Sequence, residues 1–60
     1  MKVTEIYIIQ IYNEELIFHD GDALVKVSMR ADFLGKEYDI VRYYGVKQWD
    51  KIKQRGYFFE

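Results

Sequence analysis

The side chains able to do chemistry in this chain are few. His19 is its only histidine, Ser28 its only serine, and it has no cysteine. Nucleophilic catalysis needs an activated hydroxyl or thiol beside a base, with a third group orienting that base. Ser28 sits in the middle of a strand-like alternating stretch, and His19 stands beside a tight turn, where no pocket encloses it. We expect no catalytic residue and no enzyme activity. His19, Asp20 and Asp22 invite a metal, and Asp20-Gly21-Asp22 has the start of a calcium loop. The further carboxylates such a loop requires are missing, and a hairpin turn accounts for the triplet better. No glycine-rich phosphate loop exists: the glycines stand at 21, 35, 45 and 56, each between elements. No metal and no cofactor are expected.

One constellation resembles a binding chemistry. Arg42, Tyr43, Tyr44, Lys47, Trp49, Lys51, Lys53, Arg55 and Tyr57 interleave cations with rings. Single-stranded nucleic-acid binders combine a positive groove with stacking aromatics. Arg42, Lys47, Lys51, Lys53 and Arg55 are therefore the contacts of an alternative, nucleic-acid-binding reading. Two features oppose it: Tyr44 and Trp49 are wanted for the core, and the pI of about 5.8 is far below basic. The acidic cluster Glu14, Glu15, Asp20 and Asp22 is too small for a nucleic-acid decoy, and solvated turn charges explain it.

These residues must be positioned by short elements. Val3 to Tyr12 is rich in β-branched and aromatic residues and predicts a strand. It is apolar on both alternating faces, Tyr7, Ile9 and Ile11 on one and Ile6, Ile8 and Tyr12 on the other, so cover on both sides is expected. Asn13-Glu14-Glu15 interrupts it as a turn or bulge. Asp20-Gly21 is the strongest turn signal, because a two-residue type I′ loop needs positive φ at both positions. It sets His19 opposite Asp22, Phe18 opposite Ala23, Ile17 opposite Leu24, Leu16 opposite Val25 and Glu15 opposite Lys26. One face of this hairpin then gathers Leu16, Phe18, Ala23, Val25, Val27 and Met29.

Residues 37 to 44 alternate again. A four-residue loop over Phe33 to Lys36 places Met29 opposite Ile40, Arg30 opposite Asp39 and Val25 opposite Tyr44. Arg42 then faces the helix side: it snorkels past the helix end, pairs with a carboxylate such as Glu14, or marks an error in the register. From Gly45 the period changes. Val46, Trp49 and Ile52 recur every third residue, which predicts an amphipathic helix of about ten residues. Lys51, Lys53 and Arg55 suit its C-terminal dipole, and Gly56 its cap. Tyr57-Phe58-Phe59 adds a final strand or folds back as a clasp.

The chain has 60 residues, half of them hydrophobic, 18% aromatic and 32% charged, with no proline. That composition supports one domain over residues 1–60 and excludes a disulfide scaffold and a disordered chain. Residues 1–40 carry four basic and eight acidic groups and residues 41–60 five basic and two acidic, giving two oppositely charged poles. Met1-Lys2 leads straight into the strand pattern without a signal-peptide core, so a cytoplasmic protein with no membrane contact is expected.

The expected fold is α+β: a small antiparallel β-meander of three to four strands with a short fifth from the C-terminus. One C-terminal helix packs on the face of Leu16, Val25, Val27, Met29, Ile40 and Tyr44, with Trp49 as its plug. A single helix covers a single face. The other carries Ile17, Leu24, Val41 and Tyr43, more apolar surface than solvation needs. Strand one or the C-terminal aromatics close over it, two copies bury it, or a partner does. The expected function is thus a small non-enzymatic interaction protein, a host- or phage-encoded regulator or inhibitor. It binds a protein partner or itself, as a homo-oligomer, through Ile17, Leu24, Val41 and Tyr43.

Overall fold

A computed structural model describes residues 3–60. Met1 and Lys2, the start of the segment in which no export signal is expected, lie outside the described residues. The elements are β1 (Glu5–His19), β2 (Asp22–Phe33), β3 (Lys36–Gly45), α1 (Val46–Arg55) and β4 (Tyr57–Phe59). The strands form one antiparallel sheet in the order β3-β2-β1-β4. The fold is a small α+β unit dominated by its strands. Among the described residues no helix is long and apolar enough to cross a membrane.

Both hairpins turn on two left-handed residues. Asp20 and Gly21 have φ of 51° and 82°, and Leu34 and Gly35 have 53° and 91°. Such turns match the right-handed twist of the strands they join. His19 pairs with Asp22, and the ladder continues through Ile17 with Leu24 to Glu15 with Lys26. In the second hairpin the expected four-residue loop is tighter. Phe33 and Lys36 are themselves paired, Leu34-Gly35 is the tip, and Met29 faces Ile40 as expected. The Asp32 carboxylate accepts the Gly35 N–H at 2.7 Å and fixes that tip.

The first strand departs from expectation. Residues 5 to 19 form one strand rather than two, and no turn occurs at Asn13-Glu14-Glu15. The irregularities lie earlier: Ile9 and Tyr12 are each an extra residue against β2, between Ile8 and Gln10 and between Ile11 and Asn13. Each bulge reverses the alternation. The core-side positions therefore run Ile6, Ile8, Ile11, Glu14, Leu16, and Tyr12 leaves the side of Ile6 and Ile8 for the opposite one. Cover on both sides does not occur either: Tyr7, Ile9 and Tyr12 are exposed.

Bulges also deepen twist, and this sheet curls until side chains of its outer strands touch. The Tyr44 and Phe58 rings from β3 and β4 lie edge to face at 5.8 Å. Arg42 Nε donates to Glu60 at 2.7 Å. The register of Arg42 is therefore sound and its carboxylate is Glu60, not Glu14. The C-terminal aromatics resolve as a strand: Phe58 pairs with Ile6 and Tyr57 with Tyr7. The ladder extends past β4 through reciprocal bonds between Thr4 and Glu60 at 3.0 Å.

The core is Ile6, Val25, Val27, Met29, Ala31, Trp49, Ile52 and Phe58. Helix α1 contributes Trp49 and Ile52, the inner residues of its three-residue repeat. Gly56, at φ 84°, donates its N–H to the Ile52 carbonyl at 2.8 Å and then turns the chain out of the helix, a left-handed end that glycine adopts without steric cost. Leu16 was expected in this core and is not there: it is 57% exposed. The helix runs from the end of β3 to the start of β4, and the tip of the β1–β2 hairpin projects beyond it.

Candidate functional site

The outer side of the sheet carries a band of polar groups between two apolar regions. The band is built on Arg30, whose partners come from β3. Its Nε donates to Glu37 at 2.8 Å and its second nitrogen to Asp39 at 3.1 Å. The Tyr12 hydroxyl, brought to this side by its bulge, donates to the same Asp39 oxygen at 2.9 Å. The two carboxylates raise the Arg30 pKa, keeping it charged at any ordinary pH.

Towards the chain ends, Tyr7 and Tyr57 pack at 5.5 Å and Tyr57 meets Phe59 edge to face at 5.6 Å. The Arg55 guanidinium lies 5.1 Å from the Tyr57 ring and 5.8 Å from the Phe59 ring, a cation–π arrangement. Beside them an open hollow of about 760 Å³ is bordered by Val3, Glu5, Tyr7, Asp32, Leu34 and Phe59. It contains no histidine or serine.

Towards the Asp20-Gly21 turn lies the patch expected to meet a partner. Ile17 pairs directly with Leu24, Tyr43 with Lys26 and Val41 with Ser28, so all four named residues share one face and one end of the sheet. Ile17 and Leu24 are half-buried, while Val41 is 44% and Tyr43 56% exposed. The C-terminal aromatics do not reach them, since β4 pairs only with the first residues of β1.

The basic residues of the alternative reading scatter. Arg42 is engaged by Glu60, which raises its pKa. Lys53 bonds Glu14 at 3.2 Å, and Arg55 stacks on Tyr57. Lys47 and Lys51 are exposed on the helix. Two of the rings among them are occupied: Tyr44 and Trp49 stack on each other at 5.7 Å, and Trp49 is buried. Burial pushes the Tyr44 hydroxyl up to about 12. His19 lies 3.3 Å from Asp20 on the surface. Among the described residues no three His, Asp or Glu side chains gather as a metal site.

Sequence reasoning missed two features. Leu16 and Phe18, assigned to the core face, stand exposed at the hairpin tip, Phe18 by 75%. Their alternation was legible, but with a break expected at Asn13-Glu14-Glu15 no signal showed that a ten-residue helix would face one fifteen-residue strand and leave its end uncovered. Glu14 was read as a turn charge. It is the anchor of the helix: Trp49 Nε1 donates to it at 2.6 Å beside Lys53, and the Trp49 bond chiefly holds its carboxyl below the usual value. Compared with known protein families, curated proteins and solved structures, the chain matches none of them.

Proposed function

We propose that this protein is a small non-enzymatic interaction module, a regulator or inhibitor that binds a protein partner through the face formed by Ile17, Leu24, Val41 and Tyr43. One observation carries the reading. Four sizeable apolar side chains from three adjacent strands share one end of the outer side of the sheet, around Lys26 and Ser28, with Val41 and Tyr43 about half exposed. The polar band of Tyr12, Arg30, Glu37 and Asp39 borders them. An apolar centre with an aromatic anchor and a polar rim is the composition of a recognition surface. Nucleic-acid binding has less behind it, because Trp49 and Tyr44 stack on each other and three of the five cations already have partners within the chain.

The test is association by two variants, Tyr43→Ala and Leu24→Asp. Both should weaken partner capture while leaving the circular dichroism of the wild type. Undiminished capture by both variants sinks the proposal. A fluorescence titration with single- and double-stranded oligonucleotides at two salt concentrations separates the alternative. Binding that weakens steeply with salt and is lost in Lys51→Glu and Lys53→Glu would favour it instead.

A further inference from the structure

The outer edge of β1 is open over most of its length. Strand β4 covers only Glu5 to Tyr7, and the Ile8 N–H donates to the Gly56 carbonyl. From Ile9 to His19 no described strand adjoins that edge. Natural sheets protect such an edge with proline, lysine or bulges. Here the bulges sit at Ile9 and Tyr12, where they spoil the edge for pairing, and leave Glu14 to His19 regular. That regular stretch contains neither proline nor lysine.

Turn geometry sets which backbone groups are offered. A two-residue hairpin loop is closed by a pair that exchanges both hydrogen bonds. His19 and Asp22 are that pair, so His19, Ile17 and Glu15 direct their backbone groups at β2. Phe18, Leu16 and Glu14 direct theirs outward. The same edge displays two large apolar side chains, Leu16 and Phe18, at 57% and 75% exposure.

We infer that two copies of this chain dimerise edge to edge through antiparallel pairing of residues 15–19, with the two-fold axis at Ile17. The segment Glu15-Leu16-Ile17-Phe18-His19 is complementary to itself reversed. Centred on Ile17, Leu16 of one copy meets Phe18 of the other, the two Ile17 side chains meet, and Glu15 meets His19. The outward backbone groups of Leu16 and Phe18 then bond each other's strand. Centred on Glu15, the axis would oppose two like charges; centred on Leu16, it would set Glu14 against Phe18 and Glu15 against Ile17. At the margin Glu14 approaches the partner's Asp20, and Lys53, 3.2 Å from Glu14, supplies the counter-charge. Pairing at this edge joins two sheets into one and brings the two Ile17–Leu24 patches side by side. The dimer does not rest on the partner-binding reading, since it uses the edge and not the face.

Sedimentation of the full chain over a concentration series tests this, with three variants. The wild type should reach the mass of two chains. Leu16→Pro removes an outward N–H without touching the β1–β2 ladder, and should sediment as one chain with native circular dichroism. If that variant fails to fold, Leu16→Lys with Phe18→Lys, both at exposed positions, takes its place with the same expectation. Ile17→Cys puts a lone thiol on the axis of a chain that has no other, and mild oxidation should cross-link the dimer. A single-chain mass for the wild type at every concentration overturns the inference. So does a dimer that survives loss of the Leu16 edge but dissolves in Tyr43→Ala, a result that would transfer self-association to the apolar face. A dimer intact in Tyr43→Ala and Leu24→Asp, neither of which captures a partner less well than wild type, would sink the face reading and leave the edge standing.

Discussion

Arg42 and Glu60 belong to opposite margins of the sheet, yet their side chains meet at 2.7 Å. Strands β2 and β1 lie between them in the hydrogen-bonded order. The contact exists because the bulges at Ile9 and Tyr12 curl β1, and with it the sheet, around Trp49 and Ile52. The ion pair and the Tyr44–Phe58 ring contact close the open side of that curl.

Removing this clasp should loosen the last strand. Arg42→Met keeps the aliphatic packing and removes the charge. Both partners are about one-third to two-fifths exposed, so solvent screens the pair and the cost should be about 0.5–1 kcal/mol. A double-mutant cycle with Glu60→Gln, read from urea unfolding, measures the coupling; a coupling indistinguishable from zero would show that the rings alone close the curl.

Glu14 makes stability depend on acid. Its carboxyl titrates below the ordinary value of 4.5, chiefly because Trp49 donates to its charged form. A carboxylate with a depressed native pKa stabilises the fold above its unfolded value, and that contribution is lost as pH falls through the native one. The wild type should therefore outlast Glu14→Gln in urea at neutral pH, and the gap should close in acid below 4.5. An equal gap at both pH values would refute the assignment.

How much of this was readable beforehand depends on the kind of signal. Asp20-Gly21 fixed a register because turn chemistry and alternation agree there, and Gly45 to Gly56 announced a helix by period and cap. The bulges were invisible, because Ile8, Ile9 and Ile11 are equally apolar and any assignment of them to faces looks plausible by composition. Since the two bulges cancel, Leu16 and Phe18 keep the face expected for them. The error over their burial came from the reach of the helix, which is a matter of tertiary length and not of pattern. Glu14 as the indole partner of Trp49 follows from the turn register, which sets it opposite Val27 on the helix side, and was hidden only because a break was expected at Asn13-Glu14-Glu15.

Leu34 holds a left-handed conformation, φ 53°, with its side chain in solvent. Side chains without a local polar group occupy that region at a cost of about 1 kcal/mol. Leu34→Asn builds the preferred residue pair for this turn and should raise the urea midpoint by an equivalent amount. A lower midpoint would mean that Leu34 packs usefully against its neighbours.

Ile52 is buried in the core that α1 forms with the sheet, and its carbonyl also receives the Gly56 cap. Ile52→Ala should cost about 2–5 kcal/mol, a large part of what a domain of this size has to spare. Calorimetry should show the melting transition shifted far down or absent. A shift of only a few degrees would indicate that the core collapses around the gap.

The Ile6–Phe58 rung joins the first strand of the chain to the last. Both hairpins close on local turns, but this rung must span nearly the whole sequence, and distant pairings form late. Without that rung the two hairpins alone would leave Val27 and Met29 open to water, because part of what covers them is the helix and strand that follow. Cutting the chain before Tyr57 should therefore leave a sticky fragment rather than a smaller version of the protein.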